Sequence, residues 1–226
     1  MKYELYSYRN GREMAESHKD YGELFQSILS AVGGITEIQV ADHFAQNYEH
    51  KQKSLSKAIN DLLRERLIEA GWVAESRIFG EVGYSDDKRD KKWRLDFSKS
   101  LETQSRDEID RQIDPKVGIA LEVAFNNDGS TAWNLIKPVL SSELNHVKKE
   151  IQTGMGVIIT VSEELKRAGG FDNTVGTFDD FKMHLRAMRN MLTVPMVIIG
   201  LGAPETYEID VYLDSMGKKR GKLKLK

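Results

Sequence analysis

An α/β fold, a central mixed β-sheet flanked by helices, is what this sequence predicts, and three stretches carry the prediction. Gly154 to Val161 (G-M-G-V-I-I-T-V) and Val194 to Leu201 (V-P-M-V-I-I-G-L) are near-continuous apolar runs of strand length. Strands buried on both faces of a parallel or mixed sheet have that composition. Between them Thr177 to Asn190 has helical spacing, and Thr177 with Asp180 makes a capping box in which Asp stands in for the usual Glu. The strand–helix–strand order gives a layered α/β domain. The third stretch, Ile113 to Asn127, holds a strand in which Val117, Ile119, Leu121, Val123 and Phe125 alternate with Gly118, Ala120, Glu122, Ala124 and Asn126. Side chains on a strand alternate faces, so one face is apolar and the other small or polar, with Glu122 alone in its middle.

The remaining elements follow in chain order. Tyr3 to Tyr8 alternates as a short edge strand. Glu13 to Ala31 is an amphipathic helix with Tyr21, Leu24, Phe25, Ile28 and Leu29 on one stripe and Gly33-Gly34 ending it. Thr36 to Glu49 is a second helix. Ser54 to Ala70 is the clearest one, with Leu55, Ala58, Ile59, Leu62, Leu63 and Leu67 at helical spacing and Gly71 at its end. Trp72 to Gly83 turns β-like. Tyr84 to Arg94 is a mixed-charge run, read either as a solvated loop or as a surface on which Lys88, Arg89, Lys91, Lys92 and Arg94 meet nucleic-acid phosphates or base edges. Ser98 to Gln112 is polar, with a short helix over Ser105 to Arg111. Asp128-Gly129-Ser130 is a turn, and Thr131 to Gln152 a helix with Pro138 in an early turn or at a kink. Its buried stripe is Leu140, Leu144, Val147 and Ile151, while Lys137, Glu143 and His146 lie on other faces. Gly169 to Asn173 is a loop that approaches a bound duplex if there is one. Gly217 to Lys226 is a basic tail, either solubilising or an arm in which Lys218, Lys219 and Arg220 track a phosphate backbone.

Length and composition set bounds. At 226 residues the chain is expected to form one domain, with residues 1–71 as mainly helical scaffold, 72–207 as the sheet core and 208–226 as the tail. A net charge of −2 excludes a non-specific nucleic-acid coat, though a local basic stripe suffices for DNA binding. The absence of cysteine rules out disulfides, thiolate metal sites and a cysteine nucleophile. There is no apolar run long enough to span a bilayer, and Met1 to Leu5 lacks the apolar core of a secretory signal, so a cytoplasmic protein without a membrane partner is expected. There is no internal repeat, Gly-rich phosphate loop or zinc spacing, and none of the five histidines pairs with a carboxylate at a recognisable spacing.

The chemistry is concentrated around Glu122. Pro115 and Gly118 mark a turn that brings Asp114 back towards it. Two such acids suit a hard cation such as Mg²⁺, which prefers oxygen ligands. Alternatively, Asp114 is a turn residue and Glu122 a paired carboxylate at a sheet edge. Asp96, in Leu95-Asp96-Phe97, is a rival acid ranked below Asp114.

Asp114, then Glu122 within an apolar strand, then Phe125-Asn126-Asn127, resembles the PD-(D/E)XK nuclease core, and most of all the BamHI, BglII and BstYI group of type II restriction endonucleases. The motif strand is here Glu122-Val123-Ala124-Phe125-Asn126-Asn127. The likeness extends to Glu69-Ala70-Gly71-Trp72 and to the two buried strands after the core, covering roughly Leu55 to Gly202. It implies a homodimer, part of a restriction–modification system, that hydrolyses double-stranded DNA at a short palindromic site. It further implies Mg²⁺, with Mn²⁺ as a substitute, held by Asp114, Glu122 and the backbone carbonyl of Val123. Helices flanking the sheet would form the dimer interface, and Asn127 would face the DNA. One position departs from the pattern: the third catalytic side chain is replaced by Ala124. Either its role has moved, to Asn126, Glu143 or Lys137, or the chain binds without cutting, or it is a weak or inactive relative. In the second case Glu or Gln at position 124 would restore cleavage. A DNA-binding protein without catalysis on a nuclease fold therefore competes with the enzyme. So does an α/β protein without a nucleic-acid role, whose acids serve structure or a small phosphoester.

Overall fold

The computed structural model describes residues 1–79, 93–101, 117–143 and 151–226. The chain opens with β1 (Tyr3–Tyr8), followed by α1 (Gly11–Ser17), α2 (Lys19–Gly34), α3 (Glu37–Asn47) and α4 (Ser56–Glu69). Then come β2 (Val73–Arg77), β3 (Arg94–Leu101), β4 (Val117–Val123) and α5 (Thr131–Glu143). β5 (Met155–Val161), α6 (Glu163–Ala168), α7 (Phe178–Ala187) and β6 (Met196–Leu201) complete the alternation, and β7 (Tyr207–Leu213) and β8 (Lys219–Leu225) close it.

Six of the strands form a sheet of order β1-β6-β5-β4-β3-β2. Its centre, β4-β5-β6, is parallel, and β1, β3 and β2 are antiparallel to their neighbours. Every residue of β4, β5 and β6 is buried, which is why their apolar runs are almost unbroken. The alternation in β4 sorts its side chains as expected. Ile119, Leu121 and Val123 join Leu24, Phe25, Ile28, Ile59 and Leu63 of α2 and α4 in one core layer. Ala124 joins Leu135 of α5, Phe178, Phe181 and Leu185 of α7, and Ile158 and Ile198 in the layer on the other face. The capping box of Thr177 and Asp180 forms, the Asp180 carboxylate accepting from the Thr177 N–H at 2.9 Å.

α5 sits unusually close to the sheet. A Cβ on Gly156 would lie 2.8 Å from Pro138 Cβ and 3.1 Å from Met196 Cγ. Pro138 is inside α5, and Gly156 on β5 provides the space its ring needs.

Several expectations are corrected. The first helix is two, α1 and α2, broken where His18 is extended, and Gly33-Gly34 belong to the last turn of α2. Ser98, Lys99 and Ser100 belong to β3, an interior strand, and α6 was not foreseen. The stretch expected to be a tail is the hairpin β7–β8. Its lysines answer acids across the strands, Lys224 with Glu208 at 2.8 Å and Lys222 with Asp210 at 3.3 Å. The hairpin is tied to the loop after α3, where Gly221 N–H donates to Gln52 O and His50 N–H to Gly221 O, both at 2.9 Å. The expected helix over Ser105 to Arg111, and the part of the long helix at 144–150, lie outside the described residues.

Gly156→Val should push α5 off β5 and lower stability by about 1–3 kcal/mol. Urea unfolding measures this as a lower midpoint at constant slope; an unchanged midpoint would show that α5 does not bear on Gly156.

Candidate active site

β3 and β4 run as a regular antiparallel ladder from Leu101↔Val117 to Phe97↔Leu121 and then part. Side chains take over where the ladder ends. The Asp96 carboxylate Oδ2 accepts from the Val123 N–H at 2.8 Å, and the Asp96 N–H donates to Glu122 Oε1 at 3.3 Å. The next register step thus becomes a fork holding two acids.

Glu122 is 1% exposed. A buried carboxylate needs a partner, and α5 provides it: Lys137 Nζ donates to Glu122 Oε2 and, at 3.1 Å, to the Arg94 carbonyl. Burial, then the charge of Asp96, push the Glu122 carboxyl up to about 8 against the pull of Lys137. Burial also raises Asp96, opposed by Lys137 and the Val123 N–H.

The fork opens into a cavity of about 250 Å³ lined by Asn60, Asp61 and Arg64 of α4, Glu75 of β2, Asp96, Val123 and Asn126. Glu75 has φ +53°, uncommon for a non-glycine residue, and its charge adds to the upward pressure on Asp96. Asp61 is anchored by His43, whose Nε2 lies 3.1 Å from Oδ2, and by the Tyr48 hydroxyl. That pairing of a histidine with a carboxylate was not visible in the sequence, because its partners are 18 residues apart on different helices.

Among the described residues no group of three or more His, Cys, Asp or Glu side chains converges as a metal cage. Asp96 and Glu122 nonetheless suit a hard cation. Both are oxygen donors, and both are raised by burial, so added positive charge at the fork would be favourable. A Mg²⁺-type ion keeps several waters and needs only one or two carboxylates.

The expected site residues divide as follows. Glu122, Val123 and Asn126 are at the fork or its cavity. Asp114, Lys88, Arg89, Lys91 and Lys92 lie outside the described residues. Among the described residues the acid adjacent to Glu122 is Asp96, which the sequence ranked second. Arg94, expected in a charged loop, is the first residue of β3, with Nη1 donating to the Glu75 carbonyl at 3.4 Å. Ala124 is 2% exposed within the α5–α7 apolar layer, so a longer side chain there would have to displace that packing. Of the three residues considered as its replacement, only Lys137 touches Glu122; Glu143 is exposed in the last turn of α5, and Asn126 is exposed on the cavity rim. Asn127 caps a single 3-10 turn, Oδ1 accepting from Gly129 N–H at 2.9 Å. Lys218 and Lys219 are exposed at the hairpin turn, whereas Arg220 pairs with Asp214 at 2.9 Å. Asn60, Arg64 and Glu75 carry no local signal, since only the fold brings their segments together.

Residues 3–201 match the family model described as restriction endonuclease BglII/BglIII, and β7 and β8 lie beyond the matched stretch. The crystal structure of restriction endonuclease BglII complexed with a DNA 16-mer is similar to this chain, with a TM-score of 0.59 and 17% identity over 100% of both chains. Free BglII matches with a TM-score of 0.43 and 13% identity, again over 100% of both. The first of these is a likeness of fold. No curated protein sequence matches.

The Glu122 carboxyl, pushed up to about 8 from an ordinary 4.5 chiefly by burial, binds its proton more tightly in the native chain than in the unfolded one. Its contribution to stability is complete below about pH 4.5 and is lost as pH rises towards 8. In chelator, the native chain should lose stability relative to Glu122→Gln as pH rises across that window. Parallel urea titrations of the two proteins would mean that Glu122 is ionised throughout.

Proposed function

The chain belongs to the BglII/BglIII restriction endonuclease family and is a type II site-specific nuclease; we propose that it hydrolyses double-stranded DNA at a short palindromic site with Mg²⁺, for which Mn²⁺ substitutes, bound at Asp96 and Glu122. The observation that carries this reading is the fork itself, in which Asp96 lines the cavity and Glu122 is buried directly behind it. Enzymes of this kind generally use a divalent metal.

In this reading Asp96 takes the ligand role that the sequence suggested for Asp114, with Glu122 and the Val123 carbonyl beside it. A divalent cation supplies charge neutralisation at the phosphate and acidifies a water. The protein residues do the rest. Asp96 is fixed by the Val123 N–H, so its carboxylate does not have to reorganise. Asn60, Arg64 and Asn126 on the cavity wall offer donors to phosphate oxygens. The water oxygen bonds to phosphorus as the bridging P–O bond breaks. The leaving oxygen takes up a proton and the water loses one. Lys88, Arg89, Lys91 and Lys92 would contact flanking phosphates. A two-fold dimer would match a palindrome, and exposed Ile38 of α3, Ile68 of α4 and Val73 of β2 are apolar surface such a dimer would cover. A restriction–modification role in the cytoplasm belongs to the same reading.

Ala124 favours a second reading, a sequence-specific DNA-binding protein that does not cut. Two experiments separate the readings. With Mg²⁺ on plasmid and phage DNA, Asp96→Ala and Glu122→Ala should each lose at least about a hundredfold in cleavage rate, while Asp114→Ala retains activity. The opposite pattern would return the ligand role to Asp114. Ala124→Glu should cut no faster than the native chain and be less stable by about 2–4 kcal/mol, since it buries a charge in an apolar layer. Discrete fragments from Ala124→Glu alone would instead identify a disarmed binder.

A further inference from the structure

Resting on the nuclease reading, we infer that Lys137 is the catalytic cation of this site, delivered from α5 in place of the side chain that position 124 lacks. An ammonium at 8% exposure is expensive, and as a stabilising device it is a poor choice, because a well-packed apolar residue commonly does as well as a buried ion pair. Its location is the informative part. α5 covers the face of β4 on which Glu122 and Ala124 lie, and Lys137 Nζ reaches Glu122 from that side. Pro138, the next residue, is seated against Gly156 with no room for a Cβ between them, so the helix is held at fixed height over the strand. The cation is thus built in from a rigid element.

Its chemistry follows from its hydrogen-bonding capacity. An ammonium has three donors and no acceptor, and among the described residues Glu122 and the Arg94 carbonyl take two of them. One donor is left for an oxygen that gains negative charge. The scissile phosphoryl group has such oxygens, and a preorganised donor to them acts on the transition state more than on the bound substrate. Lys137 therefore does at the phosphate what Ala124 cannot do, and the apolar packing around Ala124 is compatible with an active enzyme.

The chain has no cysteine, which allows a direct test. Lys137→Cys would be compared with the native chain before and after alkylation, in denaturant followed by refolding, with 2-bromoethylamine, which restores an ammonium at nearly the original length. Cleavage of site-bearing DNA in Mg²⁺, DNA retardation in Ca²⁺ and Ca²⁺ calorimetry on the free protein would be measured together. Lys137→Cys should lose about 10²–10³-fold in kcat, with DNA and Ca²⁺ affinities within about threefold of the native chain, and alkylation should return most of the rate. Loss of Ca²⁺ binding in step with cleavage would make Lys137 a mere prop for Glu122, and a rate within about threefold of native would dispense with it; either overturns the inference. If Lys137→Cys does not fold, Lys137→Gln read by the same three measurements decides by the same limits. Silence of the native chain in both Mg²⁺ and Mn²⁺ overturns the nuclease reading and this one with it, whereas cutting by native and variant alike overturns only this one.

Discussion

Glu122 has its side chain on the covered face of a fully buried strand, and much of the surrounding structure answers that placement. An unpaired carboxylate there would be strongly disfavoured. The chain responds with Lys137 from the helix above and with the Asp96 N–H from the strand beside it. Each response has a structural consequence. Taking the Asp96 N–H out of the ladder parts β3 from β4, and bringing a lysine down from α5 requires that helix to ride close on β5, which Gly156 permits. The cavity, the fork and the seat of α5 are thus linked through one buried acid.

The two faces of the sheet divide the work. Beneath it, α2 and α4 pack Leu24, Phe25, Ile28, Ile59 and Leu63 against the odd-numbered residues of β4 in a wholly apolar layer. Above it, the layer of α5 and α7 buries the Lys137–Glu122 pair and the polar Asn134 and Ser141 of α5 among its apolar residues. The apolar layer fixes the strands; the mixed one holds charges in a medium where they act strongly. α4 serves both purposes, since its buried stripe packs below while Asn60, Asp61 and Arg64 on its other side line the cavity.

Local pattern made some of this legible. The parallel core was visible because strands buried on both faces have no alternative to continuous apolar runs, and α4 and the Thr177 cap were visible because their signals fall within a few residues. Glu122 stood out as the one charge on an otherwise small face. What escaped depends on pairing between distant segments. Ser98 of β3 is buried by the neighbouring strands despite its polarity; its Oγ donates to Ser76 Oγ at 2.6 Å. The hairpin β7–β8 looked like a charged tail because its lysines find their acids only after the strands pair. That Asp96 lies beside Glu122 could not be read along the chain, because only strand pairing brings positions 96 and 122 together. Lys137 appeared as one of several polar residues on a helix, with nothing in its neighbours to mark which way it faced.

The ladder between β3 and β4 fixes the two acids against each other although 26 positions separate them in the chain. What aligns them is strand register, set by the ladder from Leu101↔Val117 to Phe97↔Leu121. A change in the number of residues between the strands that keeps this register keeps the acids aligned. A text search that demands a fixed interval between them would pass over chains of this kind, whereas one that aligns two strands and lets the interval float would find them.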